Sequence, residues 1–242
     1  LGTKFEQFQN IYLSPEIDFL IEDLETSSKA SSTIKKQEGS YTDLYFNYSI
    51  NQDLRDKKFR TEDGFVTTFS QELPIISDNS ELSNSFDMTT FKKLSTRSDI
   101  VGKLSLFGKT ITGLSDDVRI SKRLYIPSYR LRGFAKGKVG PVDSNDYIGG
   151  NHLTSVNMSA TLPNILEGLD NLDVGVFLDA ANIWGVDYNS SLDDKSTIRS
   201  SAGIGLNLLT PIGPLSFSFA NPITKASSDK TETFRFNLGT QF

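Results

Sequence analysis

The chain has 242 residues, a net charge of −5, no cysteine and one histidine. The absence of Cys removes disulfide, thiol and Cys-based metal chemistry, and a single His leaves little scope for a His-based metal site or a Ser-His-Asp triad. An acidic chain of this kind does not favour nucleic acid, and no run reaches the roughly 18 consecutive apolar residues of a membrane-spanning helix.

The opening "LGTKFEQFQN" has no Met, no charged n-region and no apolar h-region, so it reads as neither a translation start nor a signal peptide. The expectation is a processed chain or a fragment. From there alternation with period two recurs along the chain, which is the pattern of strands with two unlike faces. In 41–53, Leu44, Phe46, Tyr48 and Ile50 oppose Asp43, Asn47, Ser49 and Asn51. In 197–210, Ile198, Ala202, Ile204, Leu206 and Leu208 oppose Arg199, Ser201, Gly203, Gly205 and Asn207. In 213–221, Leu215, Phe217 and Phe219 oppose Ser216, Ser218 and Ala220. At the end, Phe234, Phe236, Leu238 and Phe242 share one face of 232–242.

Further strands are expected at 10–24, 63–74, 82–95, 100–113, 147–162 and 171–184. That makes about ten, many longer than the five or six residues usual in globular sheets and long enough to cross a bilayer at a tilt. Short links such as "TPIGP" and "STRSD" alternate with long polar ones such as "ETSSKASSTIKKQEGS" and "VDYNSSLDDKS". Short turns at one rim and long loops at the other, with apolar-out and polar-in faces, point to an all-β, antiparallel transmembrane β-barrel. A soluble β-sandwich also alternates, but with shorter strands and no need for an apolar outer face.

Between the strands at 100–113 and 147–162 lies the basic, glycine-rich "YRLRGFAKGKVGP". Its "GFAKGKVG" lacks the spacing of a phosphate-binding loop, and Val139 stands where a Mg²⁺-binding hydroxyl is required. Asp116-Asp117, Asp193-Asp194 and "DSND" at 143–146 match no calcium-loop pattern and read as solvated loop charges, able to meet bridging cations at a lipopolysaccharide surface. His152 reads as a pore-facing or interfacial side chain. Asp179 falls on the inner face with Asp173 and Phe177, while Val174, Val176 and Leu178 face lipid. An inner-wall carboxylate at mid-strand either finds donors, Arg132 being a candidate, or stays hydrated. Gly239 interrupts the last strand, as a kink or as a small residue on a crowded face.

"RLRGF", "GGN", "FLDAANIW" and the terminal "FRFNLGTQF", in that order, resemble the C-terminal barrel of the BamA family of outer-membrane protein assembly factors. That family lies in a superfamily shared with TamA and two-partner secretion transporters. The resemblance is most specific from Ser115 to Phe242. It implies a sixteen-stranded barrel preceded by soluble POTRA repeats, with this chain supplying the last ten strands over 1–242 and no POTRA repeat. It also implies that 114–146 is a long loop inserted in the lumen. Leu131, Arg132, Gly133 and Phe134 would form its motif, with Asp179 as wall partner. Ser159 stands where a second acidic residue is often found, Leu131 replaces Val or Ile, and Thr61 replaces a Pro in "DLRDKKFRTEDG". The implied function is non-enzymatic insertion of other barrels into the bacterial outer membrane through a lateral gate of first and last strands. Phe234, Phe236, Leu238, Gly239 and Phe242 would form the gate strand and C-terminal signal. The implied partners are unfolded β-barrel clients, accessory lipoproteins, the bilayer and lipopolysaccharide, with no cofactor and no nucleic acid. A TamA-like or secretion barrel, or a passive porin, are the alternatives.

Overall fold

The computed structural model describes residues 1–58, 60–95, 99–163, 171–210 and 213–238. Eleven antiparallel strands form one sheet in the order β1 (Phe5–Phe8), β2 (Ile11–Leu24), β3 (Gly39–Asp53), β4 (Gly64–Ser77), β5 (Glu81–Lys93), β6 (Val101–Gly113), β9 (His152–Pro163), β10 (Leu172–Trp184), β11 (Arg199–Thr210), β12 (Gly213–Thr224) and β13 (Phe234–Leu238). The two strands omitted from that order, β7 (Val142–Asp143) and β8 (Asp146–Tyr147), make a separate hairpin in the long connection between β6 and β9. Each of the ten expected strands has a counterpart. The eleventh, β1, was not expected: its four residues are exposed and hold only three register pairs with β2, too short a run for alternation to register.

Alternation decides the two faces. On one face the register carries Met88, Leu106, Val156 and Ala180 in a row across β5, β6, β9 and β10. Val176, Ile204 and Phe219 continue it across β10 to β12. Of these, Leu106, Val156, Val176, Ile204 and Phe219 are exposed, as are Ile17, Phe19 and Ile21 on β2. A row of exposed large apolar groups along a continuous ladder of backbone bonds is the surface that lipid requires. The opposite face carries Asp43, Tyr45, Ser105, Ser155, Asp179 and Ser201, all buried.

The strands other than β1 and β13 in the main sheet run 12 to 15 residues. Connections 25–38, 114–151, 185–198 and 225–233 gather at one rim, as expected of long loops. The segregation is not complete, since 78–80 is short at that rim and 54–63 is long at the other. The turns expected at "STRSD" and "TPIGP" fall partly outside the described residues. Inside 54–63, Thr61 donates its hydroxyl to the Lys57 carbonyl at 2.7 Å, a local tie at the position where Pro was expected.

The loops of the first rim are structured. A short helix α1 (Ser32–Lys35), with Ser31 as its N-cap, brings Ile34 onto Ile148 and Val186. The "DSND" segment is the turn of the β7–β8 hairpin, where Ser144 and Asn145 take φ of 51° and 80°. Positive φ at both central residues is the geometry that matches the twist of a tight hairpin. Asp146 is exposed, as expected, but the reading of "DSND" as solvated charge fails at Asp143. Asp143 is buried and accepts from Ser31 at 2.6 Å, Tyr188 at 2.9 Å and Ser144 at 3.0 Å. Asp116, Asp117 and Asp193 are exposed, as expected, whereas Asp194 is half-buried and accepts from the Val186 N–H at 2.8 Å.

Val176 lies on the lipid side of β10. Val176→Arg should destabilise the barrel by about 2–4 kcal/mol, the cost of a cation on a lipid face near mid-membrane. Ser201→Ala on the inner face should cost less than half as much. Urea unfolding in lipid vesicles measures both.

Candidate functional site

Two neighbouring rows of the inner face build the site. One row runs Asn157, Asp179 and Ser201 across β9, β10 and β11. The next runs Ser159, Phe177, Gly203 and Ala220 across β9 to β12. Gly203 is required here because a Cβ would fall 2.6 Å from the Phe177 ring and 2.1 Å from the Phe219 carbonyl. The Phe177 ring therefore occupies the space beside Gly203, and Arg132 of the loop is seated on it.

The loop brings Leu131, Arg132, Gly133 and Phe134 onto these rows. Arg132 donates from Nε to Asp179 Oδ2 at 2.8 Å and from Nη2 to Oδ1 at 2.7 Å, a bidentate fork. Its backbone N–H adds a third bond to Oδ2 at 3.1 Å, and Asn157 Nδ2 a fourth to Oδ1 at 2.8 Å. Asp179 has no exposed surface, and its two oxygens accept four donors, about the full lone-pair capacity of a carboxylate. The guanidinium also stacks 3.4 Å from the Phe177 ring centroid.

Gly133 takes φ of +89°, with Ala220 and Ser201 within 3.1 and 3.3 Å of a notional Cβ. Both the turn and the close approach call for glycine. The Ser201 hydroxyl donates to the Arg132 carbonyl at 2.5 Å. Leu131 and Phe134, each 2% exposed, pack with Ile126 and Val139 of the loop and Ile111, Leu153, Ala181 and Ile183 of the wall. Ser159 makes no contact of the second-acid type; Asn157, two residues before it, completes the grip by donating to Asp179.

Other arginines anchor the same connection. Arg119 is almost wholly buried and bonds Asp43 at 2.5 Å and Glu81 at 3.2 Å, with Glu81 also accepting from Tyr45 at 2.9 Å. Arg123 bonds Asp187 and, at 2.9 Å, Asn151. Arg130 bonds Asp87 and lies 4.0 Å from the Phe107 ring centroid. Arg199 donates to Asp229 at 2.9 Å, and the Gly140 N–H adds a bond of 3.2 Å to the same carboxylate. Sequence reasoning missed these pairs. The available signal was the inward parity of Asp43, Glu81 and Asp87, which, like Asp179, put carboxylates on the inner wall.

Asp173 pairs at 3.0 Å with Arg60 of the 54–63 connection. His152 shares the outward parity of Val156 and Met158, and its ring lies 5.5 Å from that of Trp184. Among the described residues no group of acidic or histidine side chains could hold a metal ion. Phe234, Phe236 and Leu238 lie exposed on the outer face of β13, and Gly239 and Phe242 lie outside the described residues.

At the loop rim, burial pushes the Asp187 carboxyl up, but the Val118 N–H, Arg123 and Asn151 outweigh it and hold it below the ordinary carboxylate range. Asp143 is held low in the same sense by Ser31, Tyr188 and Ser144 against its burial. A depressed folded pKa gives stability that is present above the unfolded value, near 4, and is lost as pH falls through the lower folded value. The loop cap should therefore stay ordered from pH 7 to about pH 4 and loosen only below that. The mobility of a spin label on Asp193→Cys, as sole cysteine, reads this directly.

Arg132→Ala should leave Asp179 buried with half its donors gone and expose the backbone at Lys136 and Lys138 to trypsin. Asp179→Arg should do the same, and the exchange Arg132→Asp with Asp179→Arg should recover part of the protection. A double variant as sensitive as the singles would mean that the pair is not coupled.

A family model described as the Omp85 superfamily domain matches residues 5–242. The outer membrane protein assembly factor BamA of Neisseria meningitidis serogroup B is 32% identical over 141 residues, covering 46% of this chain and 17% of that protein. BamA of Neorickettsia risticii is 24% identical over 217 residues, covering 88% of this chain and 29% of that protein. The crystal structure of BamA from Haemophilus ducreyi lacking POTRA domains 1–3 matches with a TM-score of 0.81 at 22% identity, over 96% of this chain and 52% of that one. The chain thus spans under a third of the curated relatives it matches and about half of that solved chain. With its lipid-type outer face and its likeness to part of the BamA barrel, the chain belongs to the Omp85 superfamily as a β-barrel segment of the bacterial outer membrane.

Proposed function

We propose that this chain is part of a barrel that folds and inserts other β-barrel proteins into the outer membrane, without breaking covalent bonds. The relatives matched over most of its length are named outer membrane protein assembly factors. The observation that carries the reading is the docked loop, whose Ile126, Leu131, Phe134 and Val139 form a packed core with the inner wall. Ordered chain packed on the inner wall argues against a passive porin. That arrangement suits work done at the side, on a strand edge.

On the resemblance to the BamA family, β13 is the strand that would offer such an edge. β13 bonds to β12 on one side, with Phe217 against Phe236 at 5.1 Å and Phe219 against Phe234 at 4.9 Å holding the pair on the outer face. Cross-strand aromatic pairs of this kind stabilise a strand pair by a few tenths to about 1 kcal/mol. Unpaired N–H and C=O groups along an edge template an incoming strand by β-augmentation. On this reading β13 is one side of a lateral gate. Unfolded barrel proteins are its clients, and accessory lipoproteins assemble around the full-length protein.

The test places a photo-crosslinking amino acid at Asn237 on β13 of the full-length protein in lipid vesicles, with Val176 as a control site. Asn237 should capture a urea-denatured outer-membrane barrel client during folding, Val176 should not, and the protein should raise the client's folding rate at least about tenfold over empty vesicles. No capture at Asn237 with no acceleration would rule the assembly reading out.

A further inference from the structure

We propose that Arg235 is a positioning residue that clamps the terminal strand to the lumen loop by closing the neck of the segment that carries Arg132. Arg235 lies on the inward face of β13, and its side chain is 11% exposed. Its Nη1 donates to the Ser128 carbonyl at 2.9 Å and its Nη2 to the Phe134 carbonyl at 2.5 Å. Those two carbonyls flank the residues from Tyr129 to Gly133, so one guanidinium ties both ends of the Arg132 turn together. Glu232 holds the fork in place, accepting from Nε at 3.0 Å and from Nη2 at 2.5 Å.

The backbone beside the clamp is joined as well. Glu232 N–H donates to the Gly133 carbonyl, Ala135 N–H to the Lys230 carbonyl, and Lys230 N–H to the Lys138 carbonyl, each at 3.0 Å. Phe134 and Thr231 form an antiparallel bridge. The loop and the residues that lead into β13 are therefore one hydrogen-bonded unit, and Arg235 extends that unit into the strand itself. A displacement of β13 must either break these bonds or draw the Arg132 turn off Asp179.

The residue type fits the task. Two carbonyls on opposite sides of a turn need two donors at fixed separation, which a planar guanidinium offers and an ammonium does not. An ordinary wall ion pair does not account for the position, since the carboxylate that Arg235 bonds is Glu232, three residues away on its own segment.

The coupling itself stands on these contacts. Its consequence for client insertion rests on the reading of β13 as a gate strand.

The experiment uses hydrogen exchange of the full-length protein in lipid vesicles, read at peptides covering β13 and residues 131–138. Arg132→Ala touches nothing on β13, yet it should speed exchange there by about tenfold, the scale set by losing one charge-assisted hydrogen bond. Arg235→Ala should speed exchange in 131–138 to a similar degree, with Arg235→Lys intermediate. The double variant should be no faster than the faster single. Unchanged β13 exchange in Arg132→Ala, or multiplied effects in the double variant, would overturn the clamp. Should Arg235→Ala fail to fold, the Arg132→Ala and Arg235→Lys arms still decide it. Client folding rates are measured on the same variants. Coupled exchange with an unaltered folding rate would keep the clamp and sink its role in assembly.

Discussion

A carboxylate with no exposed surface holds this structure together at its centre. Burying Asp179 would cost several kcal/mol without partners, and removing one partner from such a group is more damaging than never having built it. Four donors on its two oxygens answer that cost, and three of them come from one residue, Arg132. The wall therefore needs the loop as much as the loop needs the wall. Much of the surrounding arrangement follows from this demand. Gly203 makes room for Phe177, Phe177 supports the guanidinium, and Gly133 lets the backbone pass close to Ala220.

The same solution recurs along the connection. Arg119, Arg123 and Arg130 of the connection each meet a carboxylate at the inner wall or in the loops above it, and Arg199 on β11 holds Asp229, which accepts from the Gly140 N–H. A single surface ion pair contributes little, but partly desolvated, multiply bonded pairs distributed along one segment fix its path. Apolar packing by Leu131, Phe134 and Val139 supplies what ion pairs do not, a dry contact with the wall. The result is an inner face covered by ordered chain, and a fold whose loop is tied at one end to the middle of the sheet and at the other to β13.

The strands were legible because period two is a local property, and a face of Phe, Ile and Leu against a face of Ser, Asn and Asp repeats it many times. The inward direction of Asp179 followed from the same parity. The partnership of Arg132 with Asp179 came from the resemblance, since parity alone left a hydrated carboxylate open. Asn157, Arg119 and Arg235 were not legible, because nothing local states which wall row a distant loop will meet. That depends on the register of six or more strands at once. The buried state of Asp143 was missed for the same reason: its donors, Ser31 and Tyr188, come from two other loops. The exposed "FEQF" of β1 is too short for periodicity to mark.

Placing the loop against the wall is the central claim, and a distance measures it. Spin labels at Lys136, exposed on the loop, and Lys195, exposed on the rim connection, would be compared by double electron–electron resonance in the full-length protein in a bilayer. A docked loop predicts one narrow distance distribution that broadens on Arg132→Ala. A broad or multiple distribution in the unaltered protein, insensitive to that substitution, would contradict the account.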